Sequence, residues 1–175
     1  MGKIFKGVLI LCSFTMVLAL MPVQQTMAAD ETFTYDKSPN FTFTIPDWDE
    51  SPNASSKDVV VRMKADPYEV TTLEAVVMDL PEGKTFKDLP KDEIAFLVKK
   101  YKAANCNTLY ERDIKLSDGT PAYEFEIKWN HPDILLYTYL VFAFKDKKMV
   151  AISVSTGNPV SNDLKKYPLS LKFKE

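Results

Sequence analysis

Few residues in this chain could do chemistry, and their spacing limits what that chemistry could be. One histidine is present, His131, in the turn-forming run Asn130-His131-Pro132-Asp133. Nucleophilic catalysis needs a base within hydrogen-bond reach of a serine or cysteine, so any histidine-dependent triad would have to pass through this one imidazole. A metal site would need His131, Asp133 and a carboxylate from elsewhere, a set without diagnostic spacing. An exposed polar turn accounts for the same residues. Glu124 and Glu126 form a carboxylate pair, the minimum for general acid–base work. Two residues apart on a strand they share one face, and alternating acids usually mark the wetted side, where replacing either by Ala changes stability by about 0.5 kcal/mol or less. No Gly-rich phosphate loop, haem-attachment motif or dinucleotide fingerprint occurs. The sequence therefore predicts no catalytic residue, no metal ligand and no cofactor. It reads as a protein that is not an enzyme, with a hydrolase using acid pairs the weakest reading.

Binding residues are the better prospect. Trp48 and Trp129 each fall at a strand end beside a loop, and a partly buried indole makes a contact anchor, although capping of a sheet edge explains it equally well. Pro132 biases His131 toward extended backbone, so the turn after Trp129 is stiff and carries the only side chain whose ordinary titration lies near neutrality. Trp129, His131 and Trp48 are the expected binding residues.

The elements that must position them are mostly strands. Phe41, Phe43 and Ile45 alternate with threonines up to Pro46, a half-buried strand whose hairpin partner is Phe33 to Tyr35 across Asp36 to Asn40. Asp47 to Lys57 reads as a loop, and Val59 to Lys64 with Val70 to Leu80 forms a second hairpin around Asp66-Pro67. From Pro90 the period changes. Ile94, Leu97, Val98 and Tyr101 fall on one helical face, with Asp92 and Glu93 near the start, Lys99 to Lys102 near the end and Asn105 as the stop. Tyr110 to Leu116 then leads through Ser117-Asp118-Gly119 to Tyr123–Trp129, where aromatic and aliphatic residues alternate with Glu124, Glu126 and Lys128. Ile134 to Phe144 is apolar on both faces, as expected of a strand covered on both sides. Met149 to Ser155, a short helix over Asn162 to Tyr167 and a strand through Leu169, Leu171 and Phe173 complete the chain. Tight turns between neighbours make an antiparallel meander, and the class is α+β.

The first 29 residues have export-signal grammar. Lys3 and Lys6 precede an apolar run from Val8 to Met21, and Thr26-Met27-Ala28-Ala29 suits cleavage after Ala28 or Ala29. The run is shorter than the roughly 20 residues of a spanning helix. The expectation is a signal peptide over 1–29, one α+β domain over 30–175, and a periplasmic or secreted product without a membrane span. Cys12 lies mid-run, which argues against lipidation, so Cys106 remains as the single thiol of the mature chain, with burial expected.

Over all 175 residues, 46% are hydrophobic and 26% charged, a globular composition. Net charge is −2, and loss of Lys3 and Lys6 would make it more acidic, which argues against nucleic acid as a partner. Acids outnumber bases from Asp30 to Val98, and bases outnumber acids from Lys145 onward.

The run Phe41 to Trp48, of form Phe-x-Phe-x-Ile-Pro-x-Trp, is followed by a second hairpin, an amphipathic helix and a meander opening on Asp118-Gly119-Thr120-Pro121-Ala122-Tyr123. That order resembles the PsbP/Mog1-like superfamily over nearly all of the mature chain, with a shorter helix before the last strand, about Val160 to Tyr167. The resemblance implies an α/β/α sandwich around a central antiparallel sheet and a non-enzymatic binding or assembly role. The expected function is an exported accessory protein docking on a protein partner in the envelope or outside the cell. A carrier of a small apolar ligand such as a lipid, held between sheet and helix, is the second reading.

Overall fold

The computed structural model describes residues 32–38, 40–52, 58–79, 106–130, 134–145 and 148–175. The first hairpin forms as the alternation predicts: β1 (Thr32–Tyr35) pairs antiparallel with β2 (Phe41–Pro46), placing Tyr35 opposite Phe43. β3 (Asp49–Glu50) is a two-residue strand on the edge of β4 (Val59–Lys64), which turns back into β5 (Thr72–Asp79). The remaining strands are β6 (Asn107–Lys115), β7 (Pro121–Asn130), β8 (Leu135–Lys145) and β9 (Lys148–Thr156), each paired antiparallel with the next. α1 (Asn162–Leu169) and β10 (Lys172–Phe173) close the chain. The amphipathic helix expected from Pro90 to Asn105 lies outside the described residues.

These strands make two sheets. The larger runs β3-β4-β5-β9-β8-β7-β6, so β9 returns to pair with β5 and joins the hairpin to the later meander. The smaller runs β1-β2-β10. A single meander was the expectation. The first hairpin instead leaves the main sheet and takes the last strand as its third member, because Phe41 and Phe43 bury their rings with Tyr35 over the large sheet. The α+β class with a central antiparallel sheet stands.

Side chains of the large sheet divide by parity. One face carries Leu73, Ala75, Tyr139, Val141, Ile152 and Val154, buried with the small sheet and with Tyr167 and Leu171 at the chain end. The other carries Phe125, Ile127, Trp129, Leu140 and Phe142, also buried, with Phe125 stacked on Phe142 at 5.5 Å. β8 is thus covered on both sides, as its two apolar faces predict.

β7 corrects the reading of its acids. Glu124 is 2% exposed and Glu126 4% exposed, on the same face as Tyr139. Their strand has no wetted side. Apolar residues at alternate positions establish that one face is buried and leave the other open, and here the other face lies beneath α1. Each carboxylate is satisfied there. Glu124 accepts from the Arg112 guanidinium and the Tyr139 hydroxyl. Glu126 accepts from Lys165 of α1 at 2.7 Å and from the Val160 amide at 3.3 Å.

Candidate functional site

The tryptophans expected to bind do not form one site. Trp48 is partly buried on the α1 side of the sheet, its ring 6.2 Å from that of Tyr167 and nearly edge-on. Trp129 belongs to the opposite face. It is 4% exposed, not at a rim where burial gives out, and clusters with its cross-strand partner Leu136 and the rest of the apolar row. Its indole N–H donates to Thr138 at 2.9 Å, and the Thr138 hydroxyl meets that of Ser155 at 2.8 Å. His131 lies outside the described residues.

The carboxylate pair offers no open acid or base. Lys165 reaches both Glu126 and the Tyr110 hydroxyl, the latter at 3.2 Å, and sits about 5 Å over the Tyr110 and Tyr139 rings. Burial opposes its charge, yet the bonds to Glu126 and Tyr110 hold the ammonium above its ordinary value. Burial, then the bond to Glu124, pushes the Tyr139 phenol far up. The group ties α1 to β6, β7 and β8. Cys106 is partly buried, and that burial raises its thiol, so it is protonated at neutral pH and a poor nucleophile. Among the described residues no three His, Cys, Asp or Glu side chains are placed to hold a metal ion, and no helix is long and apolar enough to cross a membrane.

The feature most suited to contact lies in the β4–β5 turn. Asp66 organises it: one carboxylate oxygen accepts from the amides of Tyr68 and Val70 at 3.0 and 3.2 Å, the other from Thr71 at 2.8 Å. Pro67 presets its own φ, and the Glu69 amide closes the turn on the Asp66 carbonyl at 3.1 Å. Glu69 then adopts φ +57°, among the described residues the one non-glycine left-handed position, at a cost on the order of 1–2 kcal/mol. Its carboxylate is held by Ser51 at 2.9 Å and Arg62 at 3.4 Å, and Arg62 also binds Glu74 at 2.7 Å. The backbone so fixed holds Tyr68 88% exposed.

Other apolar side chains emerge at the same end of the large sheet. Leu135 pairs with Asn130, Asn107 with Lys128, and Thr72 with Ser155, so the β4–β5 turn, the start of β8 and the start of β6 end together. Gly157 seals the β9 side of this end, where an added Cβ would stand 3.3 Å from Val70. Ile134, Leu135 and Leu109 are 39%, 38% and 48% exposed. At about 4.8 Å per strand, β5 to β6 spans roughly 20 Å. Asn130, which follows Trp129, and the segment around Trp48 lie at this end as well, since Asn130 pairs with Leu135 and Asp49 with Lys64 beside the turn. Reasoning from periodicity missed Tyr68, because an isolated turn aromatic belongs to no repeat; the available signal was Asp66-Pro67, a turn opener directly before it.

By sequence, no family model and no curated protein matches the chain. By structure, it is similar to cyanobacterial PsbP (CyanoP) from Synechocystis sp. PCC 6803, with a TM-score of 0.64 at 14% identity over 85% of this chain and 96% of that one. It is also similar to the Ran-binding protein Mog1p of Saccharomyces cerevisiae, with a TM-score of 0.54 at 8% identity over 77% and 80% of the two chains. The fold is PsbP/Mog1-like. In this fold the buried acids, Lys165 and Arg112 serve the junction between helix and sheet, while Tyr68 and its apolar neighbours are exposed at one end of the large sheet.

Proposed function

We propose that this chain is an exported, non-enzymatic accessory protein that docks on a protein assembly of the envelope or extracellular space. The observation that carries the reading is Tyr68: a turn held by Asp66 and Glu69 keeps the most exposed large hydrophobic side chain of the described residues in water. Aromatic side chains on rigid turns lose little entropy on binding, which makes them efficient anchors. Trp48 precedes β3, which pairs beside that turn, and is part of the same proposed docking end. One neighbour of similar fold, a Ran-binding protein, accords with a binding role. An apolar carrier is less well supported, since the rings that would line its cavity stack on one another, as Phe125 does on Phe142. The acid-pair hydrolase is disfavoured by Arg112 and Lys165, which occupy the two carboxylates.

The export half of the proposal rests on residues 1–29. Intact-mass analysis of the protein from the exporting cell should show a species beginning at Ala29 or Asp30, and a full-length membrane-retained species would defeat it. Docking is tested by placing a photo-crosslinking residue at Tyr68 and, as a control, at Asp79 on the opposite end of β5. A discrete adduct from position 68, competed by unlabelled protein and absent from position 79, is expected. Equal yields from both positions would remove the sheet end as the contact.

A further inference from the structure

β6 is the outer strand of the large sheet on the side away from β3, and among the described residues no strand lies beyond it. It is nine residues long with seven exposed, whereas the opposite edge, β3, has two residues. A long open edge presents backbone donors and acceptors to any extended chain, and proteins usually blunt it. Here a bulge between Thr108 and Tyr110 blunts only the first part, leaving Tyr110 to Lys115 regularly paired to β7. Along that stretch the charges alternate: Glu111 and Asp113 on one face, Arg112 on the other, and Lys115 at the end. Arg112 holds Glu124 through Nε, yet its side chain is 70% exposed.

We propose that β6 is a strand-addition site for an extended partner segment whose charges run acidic, basic, acidic, basic opposite Lys115, Asp113, Arg112 and Glu111. Main-chain hydrogen bonds supply affinity and the charge pattern supplies selectivity and register. In the fully overlapping register the same pattern disfavours a second copy of this chain. The antiparallel register that overlaps Leu109 to Lys115 with itself sets Arg112 against Arg112 and Glu111 against Asp113 twice, and like charges directly opposed destabilise a strand pair. This site meets the end that carries Tyr68 only at Leu109 and does not depend on docking there.

The probe is a labelled, end-capped peptide, Glu-Val-Lys-Glu-Lys-Tyr-Val, added to the full chain and followed by fluorescence anisotropy and amide hydrogen exchange. Binding should slow exchange across Leu109 to Lys115. Methylating the peptide's inward backbone nitrogens, or changing both its lysines to glutamate, should weaken binding at least about tenfold. The double variant Glu111→Lys with Asp113→Lys, both at exposed positions, should reverse the preference between the lysine and glutamate peptides. No binding, no loss on methylation, or an unchanged preference in the variant would each overturn the proposal. Protection of β6 that grows with protein concentration without peptide would also overturn it, since the edge would then be taken by a second copy.

Discussion

Glu124 commits both carboxylate oxygens to partners, Arg112 from the edge strand and Tyr139 from the centre of the sheet. Truncating it would leave the Tyr139 hydroxyl buried without its acceptor, so Glu124→Ala should destabilise by about 3 kcal/mol, the scale for breaking a buried charged contact. Leu140→Ala should cost 2–5 kcal/mol, roughly the usual range for a core truncation. Glu111→Ala should stay within about 0.5 kcal/mol. Urea titration of the three variants checks this, and a Glu124 variant as mild as Glu111 would contradict the burial. The same network predicts alkaline sensitivity. Tyr139 and Tyr110 are raised by burial, Lys165 is raised by its partners, and Tyr123 is pushed up to about 12 by burial and by Glu111. A group whose folded value is raised contributes fully below its unfolded value and loses that contribution as pH rises. Melting temperature should therefore fall from about pH 10 toward 12 for the tyrosines, whose ordinary value is 10.0, and less steeply in Tyr139→Phe. A flat profile would argue against the buried phenols. The sequence shows that Glu124 and Glu126 share a face, but whether water or a helix meets that face depends on where α1 lands, about 35 residues later in the chain.

At the level of elements, Asp118 links a turn to a strand far away. One oxygen accepts the Thr120 amide at 2.8 Å and the other the Phe173 amide at 2.9 Å, while Gly119 takes φ +85° to complete the turn. Burial pushes this carboxyl up, and the two backbone donors more than offset it, leaving it below its ordinary 3.8. Asp118→Ala should raise the exchange rate of amides in β10 while β7 and β8 keep theirs, and native β10 should loosen as pH falls below 3.8, where the unfolded chain takes up the proton first. Exchange measured by mass spectrometry decides this, with uniform loosening of all strands the contrary outcome. Both hairpins and the doubly apolar β8 were legible from alternation and turn residues. The small sheet was not, because Phe41 and Phe43 announce one buried face without naming which strand will pair on the free side of β2. The two-residue β3 is too short to show any period, and the strand read through Leu169, Leu171 and Phe173 forms only at its end, as β10, because Leu169 closes α1.

For the whole molecule, the sheet end that carries Tyr68 and the outer edge that β6 forms among the described residues are where local pattern says least. Tyr68 stands outside every repeat, and an edge is defined by which strand fails to arrive. The small sheet has a temporal consequence. Thr44 donates its amide to Ser170 at 2.7 Å across 126 positions, and Lys174 reaches the Ser38 carbonyl at 2.7 Å across 136. A chain made from its N-terminus therefore completes β1 and β2 long before the strand that finishes their sheet exists, and β5 likewise waits for β9. Contacts this distant in sequence are slow to close. The small sheet therefore cannot close until β10 is made, so a chain threaded through a pore from its N-terminus would carry β1 and β2 as an unfinished sheet until β10 has followed them.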